Sequence, residues 1–117
     1  MSTLKTNTIK NTDDVEMYLA KAWVNFNGTG TVAIRAAGNV SSITDNGTGD
    51  YTVNFTNAMP DANYAFTFGG AKNTSGYECY HAAYTNGVLT TSLRVRSFGG
   101  STVTIIDLEY FTLSIFR

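Results

Sequence analysis

Charged residues are scarce in this sequence, and the few that are present nearly cancel. They make up 15% of the chain, whereas about 25% is typical of a globular domain. Eight Lys and Arg stand against nine Asp and Glu, for a net charge of −1. This balance gives no electrostatic reason to expect nucleic acid or an anionic membrane as the partner. No apolar run approaches the roughly 20 residues of a membrane-spanning helix, so membrane insertion is not expected either.

Cysteine and histidine each occur once. The single Cys79 excludes a disulfide framework within the chain and a zinc site built from several cysteines. The single His81 excludes a metal centre built from several histidines of one chain. We therefore expect no metal and no cofactor. The N-terminal segment MSTLKTNTIKNTDD has no apolar signal region, so Sec-type secretion is not expected.

From Lys21 onward, apolar and polar residues alternate with a period of two, which is typical of strands with one buried face. Seven Tyr, seven Phe and one Trp favour strands as well. In the best example the residues predicted to face inward are Leu89, Thr91, Leu93 and Val95. Those predicted to face outward are Thr90, Ser92, Arg94 and Arg96. About seven or eight short strands at roughly ten-residue spacing predict an all-β fold, an antiparallel β-sandwich of jelly-roll-like form, over residues 21–117.

Asn-Gly pairs mark the expected hairpins, because both central residues of such a turn adopt positive φ. They occur at Asn27-Gly28, within residues 45–50 and at Asn86-Gly87. The last segment, residues 102–116, reads as one long strand whose alternation breaks near Ile105-Ile106, which predicts a bulge or a bend there.

Residues 1–20 form a distinct N-terminal arm that contains no glycine. Asp13 with Glu16 three residues later fits a helix N-terminus with its capping box. Val15, Met17 and Leu19 alternate, which favours an extended arm instead. The arm is interpreted as a connector to an upstream subunit, with a frayed terminus as the alternative.

The C-terminal segment is apolar on both faces near residue 110. A strand with two apolar faces must be covered on both sides, and a small sandwich covers only one. The second face is therefore expected to meet other copies of the chain, and the alternative is a cover formed by a loop or by the arm. The residues predicted for this oligomer interface are Leu108, Tyr110, Phe111, Leu113 and Ile115.

Candidate catalytic groups are few. Asp107 and Glu109 would share one face of a strand, with Cα atoms roughly 6.6 Å apart, which is near the separation of a glycosidase carboxylate pair. Any acidic pair two residues apart on a strand has this spacing, so the pair is interpreted as a polar strip. His81 has the chemistry of a general base, but no nucleophile motif accompanies it. We expect that the protein is not an enzyme.

Aromatic and basic residues gather between positions 70 and 100. Aromatic rings offer an apolar face, and tyrosine adds a polar group, which suits partners such as sugars. Arginine adds a fixed fork of donors. The alternative is that some rings belong to the core and the arginines only solvate a strand. The residues predicted to bind a receptor are Tyr77, Tyr80, His81, Tyr84, Arg94, Arg96 and Phe98.

Three segments carry a resemblance to a known family. They are residues 20–35 (AKAWVNFNGTGTVAIR), 39–55 (NVSSITDNGTGDYTVNF) and 58–64 (AMPDANY). This region resembles the C-terminal receptor-binding domains of bacteriophage tail fibre proteins, especially those from phages of cyanobacteria and other aquatic bacteria. It covers about residues 20–66, about two-fifths of the chain, and nothing beyond Phe68 adds to it.

The resemblance implies a homotrimeric fibre tip located in the virion, assembled in the host cytoplasm and joined to an upstream fibre subunit. It implies attachment to a host-surface glycan or outer-membrane component, with no catalytic motif to transfer. Two alternatives are kept: a purely structural fibre or capsid-decoration module, and a polysaccharide-degrading enzyme that uses Asp107 and Glu109.

Overall fold

The computed structural model describes residues 2–72 and 78–117, and within these ranges the chain is all-β, without a helix. These two ranges contain no helix that is long and apolar enough to cross a membrane. In chain order the strands are β1 Ile9–Lys10, β2 Glu16–Met17, β3 Ala22–Asn27, β4 Ala33–Gly38, β5 Val40–Gly47, β6 Asp50–Phe55, β7 Ala65–Ala71, β8 Cys79–Val88, β9 Ser92–Gly99, β10 Thr104–Ile105 and β11 Tyr110–Phe116. Their pairings are antiparallel.

The strands form two large sheets and one small hairpin. The five-stranded sheet has the order β10-β9-β6-β5, with β8 also paired to β9. The four-stranded sheet has the order β4-β3-β11-β7, and β1 pairs with β2 alone. Consecutive strands β5 and β6 are neighbours, whereas β11 lies between β3 and β7, which are distant from it in sequence.

The two large sheets enclose one core between their inner faces, so the architecture is sandwich-like. Alternate residues of β3 and β11 pack against alternate residues of β6 and β9. The ring of Tyr51 on β6 crosses the gap to Phe26 and Phe111, with centroid distances of 5.2 Å and 6.0 Å. The predicted alternation is confirmed at Leu93 and Val95, which are fully buried. It is wrong at Leu89, which is 50% exposed.

The C-terminal apolar residues belong mainly to the core of their own chain. Phe111 and Ile115 are fully buried and Leu113 is 2% exposed, because β11 is a central strand whose inner face lies beneath the five-stranded sheet. Leu108 lies just before β11 and is fully buried as well. These four side chains have almost no exposed surface to offer another copy, which corrects their expected role in an oligomer interface. Tyr110 alone of the predicted set is exposed, at 49%.

The expected break in residues 102–116 is confirmed, and it is a change of sheet. The segment contributes β10 to the five-stranded sheet and β11 to the four-stranded sheet. Between them, Asp107 Oδ1 accepts hydrogen bonds from Gly49 N at 2.8 Å and from the Tyr51 hydroxyl at 2.6 Å. Burial and then the bond to Asp107 raise the pKa of Tyr51, so this hydroxyl stays protonated and fastens the crossover to β6.

Two of the three predicted hairpins are confirmed. Strands β3 and β4 form an antiparallel pair joined by the turn that begins at Asn27-Gly28, and β5 and β6 form one joined by the turn within residues 45–50. Asn86-Gly87 instead lies inside β8, and the chain reverses at residues 89–91. A Cβ on Gly87 would lie 2.6 Å from Arg94 Cβ, so this glycine permits a close approach of β8 to β9 rather than a turn.

The arm is extended, and the helix reading is wrong. Asn11 Oδ1 accepts hydrogen bonds from the backbone N–H groups of Asp13 and Val15, each at 3.0 Å, and Asp14 has φ 65°. This side-chain-capped turn brings β1 and β2 together and stops a helix from starting. Every side chain from residue 2 to residue 21 is exposed.

Candidate binding surface

The outer face of the five-stranded sheet collects five of the predicted receptor-binding residues. The register places Tyr80 opposite Phe98 and Ala82 opposite Arg96, and alternation with the buried residues of β9 turns Arg94, Arg96 and Phe98 outward. We call the outward surface formed by Asp50, Tyr80, Tyr84, Arg94, Arg96 and Phe98 the tyrosine–arginine face.

Arg94 is neutralised by Asp50, a residue that the sequence did not single out. Its Nε and Nη2 donate to the two carboxylate oxygens of Asp50 at 3.0 Å and 2.7 Å. The Tyr84 hydroxyl donates to the same carboxylate at 3.0 Å. The hydrogen bond from Arg94 is the largest cause of a lowered pKa at Asp50, with that from Tyr84 acting in the same direction. This planar pair fixes the middle of the face.

Arg96 is held by rings rather than by a carboxylate. Its guanidinium carbon lies 4.1 Å from the Tyr84 ring centroid and 5.5 Å from that of Phe98, and Nη2 donates to the Tyr84 hydroxyl. Arg94 also contacts the Tyr84 ring, at 4.4 Å. Among the described residues, Arg96 forms no ion pair, and its buried Nε has no hydrogen-bond partner.

Tyr80 is the most accessible ring of the face, with 41% of its surface exposed. Its hydroxyl donates to Glu78, and this hydrogen bond raises the pKa of Tyr80. Because the hydroxyl is fixed at the far end, the orientation of the ring beside Phe98 is restricted. A ring that is both exposed and oriented is well suited to stack on a flat partner.

His81 does not belong to this surface, which corrects its predicted role. It lies one residue from Tyr80 on β8 and therefore points to the opposite side of the sheet. Its ring stacks on Phe68 at 5.9 Å and meets Phe111 edge-on at 5.0 Å, and its buried Nε2 has no hydrogen-bond partner. Tyr77, also predicted to bind, lies outside the described residues.

The buried position of His81 makes stability sensitive to acid. Burial lowers the pKa of the ring, whereas the pKa of histidine in an unfolded chain is about 6.5. Above that value neither state is protonated. Below it the unfolded chain binds a proton that the folded chain resists, so the free energy of unfolding is expected to fall as the pH drops from about 7 to 5. Urea unfolding across this range measures the slope. His81→Gln should flatten it, and equal slopes for both proteins would contradict the assignment.

The acidic pair considered for catalysis is not assembled. Residues 106–109 connect two strands instead of forming one, so Asp107 and Glu109 do not share a strand face. Asp107 is engaged with Gly49 and Tyr51. Within residues 2–72 and 78–117, no group of three or more His, Cys, Asp or Glu is placed to hold a metal ion.

A second exposed aromatic group lies on the outer face of the four-stranded sheet. Trp23, Tyr110 and Phe116 are 42%, 49% and 37% exposed. The guanidinium carbon of Arg35 lies 4.0 Å from the Tyr110 ring centroid. This surface resembles the tyrosine–arginine face in pairing an arginine with a tyrosine, but it has one arginine where the other has two.

No family model matches the chain. A search of curated proteins and a search of solved structures return no match either. The functional interpretation therefore depends on the residues of this chain.

Proposed function

We propose that this protein is the receptor-binding tip of a bacteriophage tail fibre and attaches to a glycan or another component of the host-cell surface. Two observations support the proposal. Residues 20–66 resemble tail fibre C-terminal domains, and β8 and β9 present the tyrosine–arginine face outward. The second observation carries it, because it gives the proposed receptor a place to bind.

The chemistry of the face favours a sugar-like partner. Tyr80 and Phe98 offer flat apolar surface, and Arg96 offers unused N–H donors beside them. Sugars present C–H surface and hydroxyl groups together, so they match a ring flanked by donors. The sheet beneath is fixed by buried residues on every second position, which keeps the face rigid.

Self-association into a trimer, with a jelly-roll-like subunit, is part of the proposal. The interface that we propose uses Trp23, Tyr110 and Phe116, the exposed aromatics of the four-stranded sheet. The exposed arm would then join the trimer to an upstream fibre subunit. Three weak sites on one rigid tip raise the effective concentration of binding groups at a cell surface.

The proposal is tested with fluorescently labelled protein and a panel of intact cyanobacteria and other aquatic bacteria. Wild-type protein is expected to adhere to at least one strain. Tyr80→Ala with Tyr84→Ala should remove most of that binding, since the double variant loses the exposed ring and the support of both arginines. Tyr18→Ala is the matched control, because Tyr18 is an exposed tyrosine on the arm.

The solution mass of all three proteins is measured by sedimentation, and near-ultraviolet circular dichroism checks their folding. A mass of three chains is expected throughout. Unchanged adhesion of a folded double variant would refute the site. Wild-type protein that adheres to no strain would count against the function, and a wild-type mass of one chain would refute the trimer.

A further inference from the structure

The tyrosine–arginine face carries one more positive charge than its own residues neutralise. Arg94 and Arg96 contribute two cations, and Asp50 contributes one carboxylate. That carboxylate is fully engaged by Arg94 and by the Tyr84 hydroxyl. Asn46 Nδ2 adds a longer contact of 3.4 Å. Asp50 therefore pairs with Arg94, and within the part of the chain that the structure describes Arg96 has no carboxylate partner.

Arg96 is nevertheless held in place. Its contacts with the rings of Tyr84 and Phe98 restrict the guanidinium, and the Tyr84 hydroxyl that accepts from it is itself bonded to Asp50. Among the described residues, the bond to Tyr84 is the only hydrogen bond that this guanidinium donates, out of five N–H groups. An oriented cation with unused donors loses little side-chain entropy when an anion binds.

The surroundings of Arg96 define the kind of anion. Phe98 lies beside the guanidinium, and Tyr80 is opposite Phe98 on β8. A ligand that meets all three groups needs a negative charge next to an apolar surface of ring size. A sugar that carries a carboxylate meets this description, because its C–H face can stack while its carboxylate accepts from arginine. Glu78 lies beyond Tyr80 and accepts a hydrogen bond from its hydroxyl. The carboxylate of Glu78 therefore repels an anion at that outer edge of the tyrosine–arginine face.

We infer that the receptor of this face is an acidic saccharide, whose carboxylate binds Arg96 while its ring stacks on Phe98 and Tyr80. This inference rests on the proposed function and narrows it from a surface component in general to a uronic-acid-containing glycan. Binding at Arg96 is charge-assisted, so it weakens as ionic strength rises.

The experiment uses short ligands, so that one site binds one molecule and avidity does not contribute. Trisaccharides of galacturonate, glucuronate and mannuronate are titrated into the wild-type protein, and binding is followed by NMR. Each is compared with its carboxyl-reduced, neutral counterpart. At least one acidic trisaccharide is expected to bind at least about tenfold more tightly than its neutral form. This difference is typical of a single charge-assisted hydrogen bond.

Variants then locate the interaction. Arg96→Gln should reduce binding of the acidic trisaccharide about tenfold or more and change the weak binding of the neutral trisaccharide much less. Arg35→Gln is the matched control, because Arg35 stacks on a tyrosine of the other sheet in the same way. It should bind like the wild type.

Equal affinity of the wild-type protein for the acidic and neutral trisaccharides overturns the inference, and this comparison does not depend on the folding of any variant. An equal loss in Arg35→Gln and Arg96→Gln overturns it too. If the protein adheres to bacteria but binds none of the acidic trisaccharides, the inference of an acidic saccharide receptor is refuted and the proposed function remains intact. If the protein binds neither cells nor trisaccharides, both the proposed function and the inference of an acidic saccharide are refuted.

Discussion

Phe111→Ala is expected to destabilise the protein by about 3–5 kcal/mol, the usual cost of truncating a buried phenylalanine. Phe111 is fully buried and stacks on Phe26 at 4.9 Å. It also meets Tyr51 of the opposite sheet edge-on. Removing the ring leaves a cavity at the place where the two sheets touch. A loss of this size is a large part of the roughly 5–15 kcal/mol that stabilises a small domain, so the variant should unfold at a much lower urea concentration than the wild type. Urea unfolding, followed by fluorescence, measures the loss.

Leu89→Ala is the control, because Leu89 is an apolar residue that is 50% exposed and lies on neither of the two proposed surfaces. It should cost less than about 1 kcal/mol, as surface substitutions usually do. If Phe111 held copies of the chain together instead, Phe111→Ala would stay folded with a lower solution mass. That result would contradict the core role assigned above.

Gly49→Ala is the second substitution with a large expected effect. Gly49 has φ +62°, and a Cβ built on it would lie 2.7 Å from Ser97 O and 2.8 Å from Ile106 O. Both contacts are with backbone, which cannot turn aside as a flexible side chain can. Left-handed backbone costs roughly 1–2 kcal/mol with a side chain, and overpacking adds typically 1–3 kcal/mol. We expect a total loss of roughly 2–5 kcal/mol.

Gly30→Ala separates the two contributions. Gly30 has φ +58° and nothing within 4 Å of an added Cβ, so only the backbone term applies, roughly 1–2 kcal/mol. The free energies of unfolding of both variants are compared in the same denaturant. Equal losses would show that the crossover around Asp107 can move aside, and that its hydrogen bonds do not fix β6 against residues 106–109.

Local patterns in the sequence predicted the all-β class and much of the face. A period of two needs only neighbouring residues, so Leu93 and Val95 could be assigned to the core and Arg94 and Arg96 to the surface. The hairpin β5–β6 was predictable for the same reason, since its turn chemistry lies between the two strands that it joins.

Long-range pairings could not be predicted in this way. Asp50 and Arg94 meet only because β6 pairs with β9, and no local pattern signals that pairing. The two apolar faces near residue 110 suggested an interface, but β11 is central in its sheet and Leu108 precedes it in a buried crossover. His81 was grouped with Tyr80 by proximity in sequence, although adjacent residues of a strand point to opposite sides.

The alternation along β9 has a consequence for how the protein can change. Odd-numbered positions from Leu93 to Ser97 set stability, because they are fully buried. Even-numbered positions from Arg94 to Phe98 set the chemistry of the outer surface. A substitution on one side leaves the packing on the other side in place. Successive substitutions could therefore change the chemistry of the outer face of β9 one residue at a time, while the buried face keeps the same packing.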